Sequence, residues 1–307
     1  MTPAASEGHH LAGRLSVSAS PERLLGARRL VVPANGLEFE VFEAGDGDRL
    51  ALLLHGFPQH AVSWHNQVPF LAGLGYRVWA VNQRGYGRTS RPKRREDYTL
   101  DKLTGDVAGL FDASGAASAA LVAHDWGGLV AWTFAIRRIR PLARLVIINV
   151  PHPLCFRREL KTWGQRRKSW YIGFFQMPAL PELLLSAAAG GLLASRLRRA
   201  ARRPEALSSE VLDVYRANVS APGAATAMLN WYRTAGRDVM AARDLDAPID
   251  TPTLVVWGEQ DIALGLPCLD GIERYCRDLR IERLPGVSHW APEDAPQEVN
   301  RLLGLFL

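Results

Sequence analysis

The stretch LVAHDWGG at residues 121–128 decides how this chain folds. Its first half is a short apolar run, the mark of a strand buried on both faces. Its second half sets small residues, Ala123 and Gly127, two positions either side of Asp125, and GLVAWTFAIRRI at 128–139 continues as a helix. Small flanks let a chain turn abruptly from strand to helix, holding the central side chain out at the carboxyl edge of a sheet. Here that side chain is an aspartate rather than a serine. Taken alone, the pattern is a weak signal whose ordinary reading is an aspartate that caps the following helix, so its reading depends on what surrounds it.

Outward in both directions, strand-like and helical text alternate. Ahead of the stretch lie the strand-like runs RLVVP (29–33), LEFEVFEAG (37–45) and LALLLHG (50–56), and then a helical segment at 65–74. A strand YRVWAVN (76–82) and a helix LDKLTGDVAGLFDASG (100–115) complete the first half. Beyond it come LARLVIINV (142–150), TLVVWG (253–258), LRIERLPG (279–286) and a helix from about residue 296. This alternation predicts an α/β fold, a mostly parallel twisted sheet flanked by helices on crossover connections. Between about 152 and 245 the text is Trp-, Arg- and Leu-rich and helical, without a strand, which predicts a helical cap inserted after the sixth strand. The expected organisation is a flexible N-terminal arm at 1–26, a core of 27–151 and 246–307, and a cap or lid at 152–245.

Composition narrows the class. At 307 residues, 48% hydrophobic and 22% charged, the chain has enough apolar material for one large α/β domain and is neither disordered nor fibrous in character. Cys155, Cys268 and Cys276 show no CxxC or paired-His spacing, so they read as reduced thiols rather than a disulfide framework or metal site. The longest apolar tract, residues 183–194, is shorter than the ~20 residues of a membrane span. The first twenty residues lack an apolar core behind a basic start, so no export signal is read and a cytoplasmic location is expected. The net charge of +6 permits an anionic partner without requiring one. Two basic clusters, one from Arg157 to Lys168 and one from Arg196 to Arg203, read as solvated helix faces. No nucleic-acid-binding fold accompanies them, and no nucleic-acid partner is expected.

The chemistry-bearing residues follow a set order. HGFP at 55–58 occupies the turn after a buried strand, Asp261 closes TLVVWGEQD, and His289 stands in PGVSHW just past the next strand. Together with RGYGRTSRP at 84–92, HDWGG at 124–128, NWYR at 230–233, GEQD at 258–261 and SHW at 288–290, this makes the sequence resemble the α/β-hydrolase superfamily and, within it, the epoxide hydrolases. The resemblance spans about residues 28–307. It implies that Asp125 is the nucleophile, that Asp261 and His289 form the charge-relay pair, and that Tyr232 is a cap residue holding the epoxide oxygen. The family commonly carries a second cap tyrosine at the start of a Y-F-Q-x-P stretch. This chain reads Phe174, Phe175, Gln176, Met177, Pro178 there. Phe174 has no proton to donate, so either Tyr232 acts alone or Tyr171, three residues earlier on a helix, takes the role. Packing of the cap on the core would account for Tyr171 equally well.

An aspartate nucleophile has its own logic. Serine displacing a group from saturated carbon would leave an ether that activated water cannot cleave, whereas aspartate leaves a hydrolysable ester. With an unperturbed pKa of about 3.9 it attacks without a general base, which reserves His289 for the water that attacks the ester. The expected oxyanion donors are the backbone N–H groups of Phe57 and Trp126. Ring opening makes an alkoxide, and a phenol with pKa about 10 is protonated at neutral pH yet more acidic than the alcohol formed. The expected partners are a small apolar epoxide and water, with no cofactor and no metal. Whether caps associate into a homodimer stays open.

A haloalkane dehalogenase needs N–H donors for the departing halide, which Trp126 with Trp163 or Trp170 would supply, but Phe57 stands where those enzymes often carry a polar side chain. A fluoroacetate-type dehalogenase lacks support because Trp126 and Leu129 replace the arginines of its carboxylate clamp. Trp170, Phe174 and Phe175 are candidate pocket walls, with residues 183–194 and Trp163 as an apolar approach. His55 and His124 read as turn and hydrogen-bonding elements, and RGYGRTS as a turn whose arginines lie at the surface.

Overall fold

The apolar runs become the strands of one sheet. In the computed structural model, which describes residues 20–203 and 206–307, these are β1 (Arg28–Ala34), β2 (Leu37–Ala44), β3 (Arg49–Leu54), β4 (Tyr76–Val81), β5 (Ala119–His124), β6 (Leu142–Ile148), β7 (Thr253–Gly258) and β8 (Leu279–Leu284). Their order across the sheet is β1-β2-β4-β3-β5-β6-β7-β8. Only β2 runs against its neighbours; every pair from β4 to β8 is parallel. Every residue of β5 and β7 is buried, so these strands are apolar throughout rather than alternating, as a sheet covered on both faces requires. Parallel strands bring their carboxyl ends to one edge. The turns after β3, β5, β6, β7 and β8 therefore gather Phe57, Asp125, Asn149, Asp261 and His289, far apart in sequence, into one crevice.

Helices cover the sheet. α1 (Pro21–Leu25) precedes it, and α2 (Gln67–Gly73), α3 (Leu100–Ser114) and α4 (Asp125–Ile136) connect its first strands. The described residues between β6 and β7 hold helices and no named strand: α5 (Pro153–Glu159), α6 (Trp163–Lys168), α7 (Trp170–Phe174), α8 (Leu180–Ser186), α9 (Gly191–Ala200), α10 (Ser209–Ser220), α11 (Ala224–Asn230) and α12 (Gly236–Ala241). α13 (Ala291–Asp294) and α14 (Pro296–Phe306) close the chain. The apolar tract 183–194 is broken between α8 and α9, whose axes differ by 80°. Among the described residues no single helix is long and apolar enough to cross a membrane.

Two expectations need correction. The expected arm at 1–26 lies outside the described residues up to 19, but residues 20–26 are not loose. Pro21 starts α1, Gly26 caps it in the left-handed conformation, and Leu25 is fully buried. Five residues of helix are too few to display a period, so burial of one leucine is what reveals it. Nor do all the arginines of RGYGRTS lie at the surface. Arg84 is 3% exposed and holds Asp106 through two bonds, Nε to Oδ2 at 2.7 Å and Nη2 to Oδ1 at 2.5 Å. Asn35 adds a third bond to that carboxylate at 2.8 Å. Asp106 is itself 4% exposed, so removing its partner strands a buried charge. Arg84→Ala is therefore expected to cost about 3–5 kcal/mol in denaturant unfolding; a loss under 1 kcal/mol would show the pair to be dispensable.

Candidate active site

Asp125 stands on the abrupt turn from β5 into α4 with a left-handed backbone, φ +49°. Non-glycine residues hold such angles only where surrounding structure enforces them. Two glycines make the enforcement possible. A Cβ on Gly127 would run into the carbonyl oxygens of Leu54 and His55, and one on Gly56 would meet the Asp125 side chain itself. The turns after β3 and β5 thus touch, and Phe57 N–H donates to Asp125 Oδ1 at 2.7 Å.

The other oxygen faces the histidine. His289 Nε2 lies 3.5 Å from Asp125 Oδ2, and His289 Nδ1 is 2.6 Å from Asp261 Oδ2. Asp261, 2% exposed, is held on every side: Oδ1 accepts from the backbone N–H groups of Ala263 and Leu264 at 2.7 and 2.8 Å, and Oδ2 also accepts from Asn149 Nδ2 at 2.8 Å. Sequence reasoning missed Asn149. Its signal in the sequence was a polar residue closing the apolar run of β6; the structure holds it at φ +48°.

Electrostatics join the three groups. Burial disfavours the imidazolium of His289, but the Asp261 charge, hydrogen bonds to both carboxylates and the Asp125 charge outweigh it and push its pKa up to about 10. Burial likewise pushes Asp125 up, yet the hydrogen bond and charge of His289, with Phe57 N–H, leave it below the ordinary carboxylate value. His124 and His55 are fully enclosed and, chiefly by burial, lowered to about 4, so both are neutral. His55 Nε2 accepts from Gln83 N–H at 3.3 Å.

A cavity of about 520 Å³ opens on Asp125. Trp126, Tyr171 and Tyr232 line it near the carboxylate, and Leu129, Phe156, Leu160, Val239 and Met240 make the rest mostly apolar. Tyr232 lies where α11 runs into α12 through a widened π turn, Trp231–Ala235, a form of helix frequent at functional sites. Its ring meets Trp126 edge-on at 4.8 Å, Phe57 at 5.1 Å and Tyr171 at 6.1 Å between centroids. Burial first, then the Asp125 charge, raises both tyrosines' pKa values well above 10.

The pocket walls differ from expectation. Trp170, Phe174 and Phe175 are not among the residues lining this cavity. On the single turn of α7, Tyr171 faces inward and Trp170, about 100° around the helix, faces out and is 64% exposed. Phe174 packs with Trp170 and Phe175, and Phe175 backs Tyr232 at 4.9 Å. Trp163 is 74% exposed, so neither Trp163 nor Trp170 offers an N–H to a halide beside Asp125.

Comparison with known proteins shows which chains this one is similar to. The model of the alpha/beta hydrolase fold matches residues 52–296. Epoxide hydrolase 3 of Xenopus tropicalis is 36% identical over 281 residues, 89% of this chain and 75% of that protein. The AB hydrolase superfamily protein YfhM of Bacillus subtilis is 35% identical across 92% of this chain and 98% of its own. Among solved structures, Epoxide Hydrolase A from Mycobacterium thermoresistibile superposes with a TM-score of 0.79 at 32% identity, covering 92% of this chain and 98% of that one.

Proposed function

Because this chain belongs to the α/β-hydrolase fold family and, within it, to the epoxide hydrolases, we propose that it adds water to an apolar epoxide through an ester formed on Asp125. The observation that carries this reading is the division of one carboxylate. Oδ1 is engaged by Phe57 N–H, while Oδ2 stands by His289 in a cavity that Tyr171 and Tyr232 also line.

In the first step Oδ2 bonds to an epoxide carbon, the carbon–oxygen bond of the ring breaks, and a phenol of Tyr232 or Tyr171 gives its proton to the departing oxygen. The resting charge of Asp125 opposes ionisation of both phenols. As that carboxylate becomes a neutral ester the opposition vanishes, so the phenol strengthens as an acid when its proton is needed. The same loss of charge removes one support of the His289 imidazolium. Its proton passes to the phenolate, leaving a neutral imidazole.

In the second step Nε2 takes a proton from water, the oxygen bonds to Asp125 Cγ, and negative charge collects on Oδ1. Phe57 N–H already points there, and Trp126 N–H is the second donor in this reading; one such donor contributes about 3 kcal/mol. Collapse breaks the Cγ–Oδ2 bond and releases the diol, which takes its proton from Nε2; the proton still on the new Asp125 oxygen then passes to Nε2 and restores the resting pair. Asp261 keeps the imidazole oriented throughout. The helical segment 152–245 acts as a cap over this chemistry. Three free, buried thiols accord with a reducing, cytoplasmic setting.

Isotopic water tests the ester. In a single turnover with enzyme in excess and ¹⁸O-water, the peptide carrying Asp125 is expected to gain the isotope and the diol to stay unlabelled. Label in the first-turnover diol would mean direct attack of water on the epoxide and would end this reading.

A further inference from the structure

A second set of buried polar groups runs from the helical insertion to the backbone of His289. Tyr215, on α10, donates its hydroxyl to Glu293 Oε1 at 2.6 Å. Glu293 Oε2 lies 2.7 Å from the Gln59 side-chain amide, whose far end lies 2.9 Å from His124 Nδ1. His124 Nε2 in turn lies 2.8 Å from the carbonyl oxygen of His289. Tyr215, Glu293, Gln59 and His124 are each at most 1% exposed. Asn218, one helical turn beyond Tyr215, ties the same insertion to the Gln59 backbone carbonyl at 2.8 Å.

Hydrogen-bond direction limits how this chain can be protonated. The His289 carbonyl only accepts, so His124 Nε2 must carry a proton. If Gln59 presents its oxygen to Nδ1, that nitrogen must carry one too, and His124 is a cation facing an ionised Glu293 across an amide. Two charges buried this completely carry a heavy desolvation penalty. With the Gln59 amide turned end for end, its NH₂ donates to the bare Nδ1 of a neutral imidazole, and its oxygen now needs a donor. The single hydroxyl proton of Tyr215 is already given to Glu293 Oε1, so a protonated Glu293 supplies it. This arrangement gives up only the long 3.3 Å contact from Gly56 N–H to Gln59. Either way the pair holds one proton, and the neutral form avoids both charges.

We propose that Glu293 is a neutral carboxylic acid at the head of a donor chain through Gln59 and His124 to the His289 carbonyl, and that it positions the catalytic histidine. This rests on the reading of His289 as the base. The electrostatics agree: burial foremost, with the neighbouring Asp294 charge, raises Glu293 to about 8, and burial lowers His124 to about 4. Of the elements around Glu293, α10 presents the uncharged Tyr215, residues 61–64 are Ala, Val, Ser and Trp, and on α14 Glu298 is bound by Arg301. Because α10 belongs to the insertion, the chain also couples the cap to the base.

Carbon-13 NMR of glutamate-labelled protein tests the protonation state without any substrate. The carboxyl resonance that disappears in Glu293→Gln is expected to titrate near 8 instead of about 4.3, and nitrogen-15 spectra should show His124 as the neutral tautomer protonated at Nε2. A carboxylate at pH 7, or an imidazolium at His124, overturns the proposal. In turnover, the proton is present below about 8 and lost above it, so wild-type kcat should fall as pH rises through that value. Glu293→Gln, which keeps both contacts, should retain at least roughly a third of kcat at pH 7 and lose that alkaline fall; Glu293→Leu should lose about tenfold in kcat with little change in KM. An alkaline fall unchanged in Glu293→Gln would also overturn it. Failure of the proposed activity looks different, as a wild-type protein that turns over no epoxide.

Discussion

A His289→Gln variant mixed with an apolar epoxide is expected to gain the whole mass of that epoxide on Asp125 and to keep it. The nucleophile needs no base, being an ionised carboxylate, so ring opening proceeds. Ester hydrolysis does need one, and loss of a positioned general base slows such a step by about 10²- to 10⁴-fold. Glutamine also keeps a side-chain amide near the Asp261 carboxylate, which is already satisfied by Ala263, Leu264 and Asn149. The fold is therefore expected to survive. Intact-protein and peptide mass spectrometry after exposure to a mixed panel of epoxides and haloalkanes reads the outcome. An adduct equal to an alkyl group without its halogen would instead mark a dehalogenase, and adduct formation at a residue other than Asp125 would displace it as nucleophile.

Removing both phenols is expected to slow the first step severely. Tyr171 and Tyr232 line one cavity with Asp125, their ring centroids 6.1 Å apart. A preorganised donor to developing negative charge is worth about 10²–10³-fold. If the two share the epoxide oxygen, each single Phe substitution should slow alkylation of Asp125 by about tenfold or more, and the double substitution by about 10³-fold. Rapid-quench mass spectrometry of the ester measures this step apart from hydrolysis. Wild-type rates in Tyr171→Phe would leave Tyr232 as the sole acid. Phe174→Tyr should restore nothing in that double variant, because residue 174 packs on Trp170 and Phe175 outside the cavity.

The fold was legible because its signals are local. Burial on both faces wrote β5, β7, most of β3 and the second half of β6 as continuous apolar runs, and the small residues flanking Asp125 announced the sharp turn that follows β5. Asp261 and His289 were legible for a related reason: each follows a recognisable strand, and parallel strands deliver such residues to one edge. The pocket walls were less so. Trp170 and Tyr171 are neighbours in sequence, and which one faces the cavity depends on how α7 is rotated against the core, which an interval of five helical residues does not encode.

By itself, then, the sequence determined the alternation of strands and helices, the aspartate at the turn and the places of Asp261 and His289 just past their strands, since each depends on neighbours along the chain. Tertiary structure alone decided that Arg84 is buried against Asp106, that Asn149 steadies Asp261, and that Tyr215 reaches the His289 backbone through Glu293, Gln59 and His124. In each of these a polar group is satisfied by a partner distant in the chain. Nothing along the sequence records that pairing, because desolvation makes it necessary only once the sheet and its covering helices have excluded water.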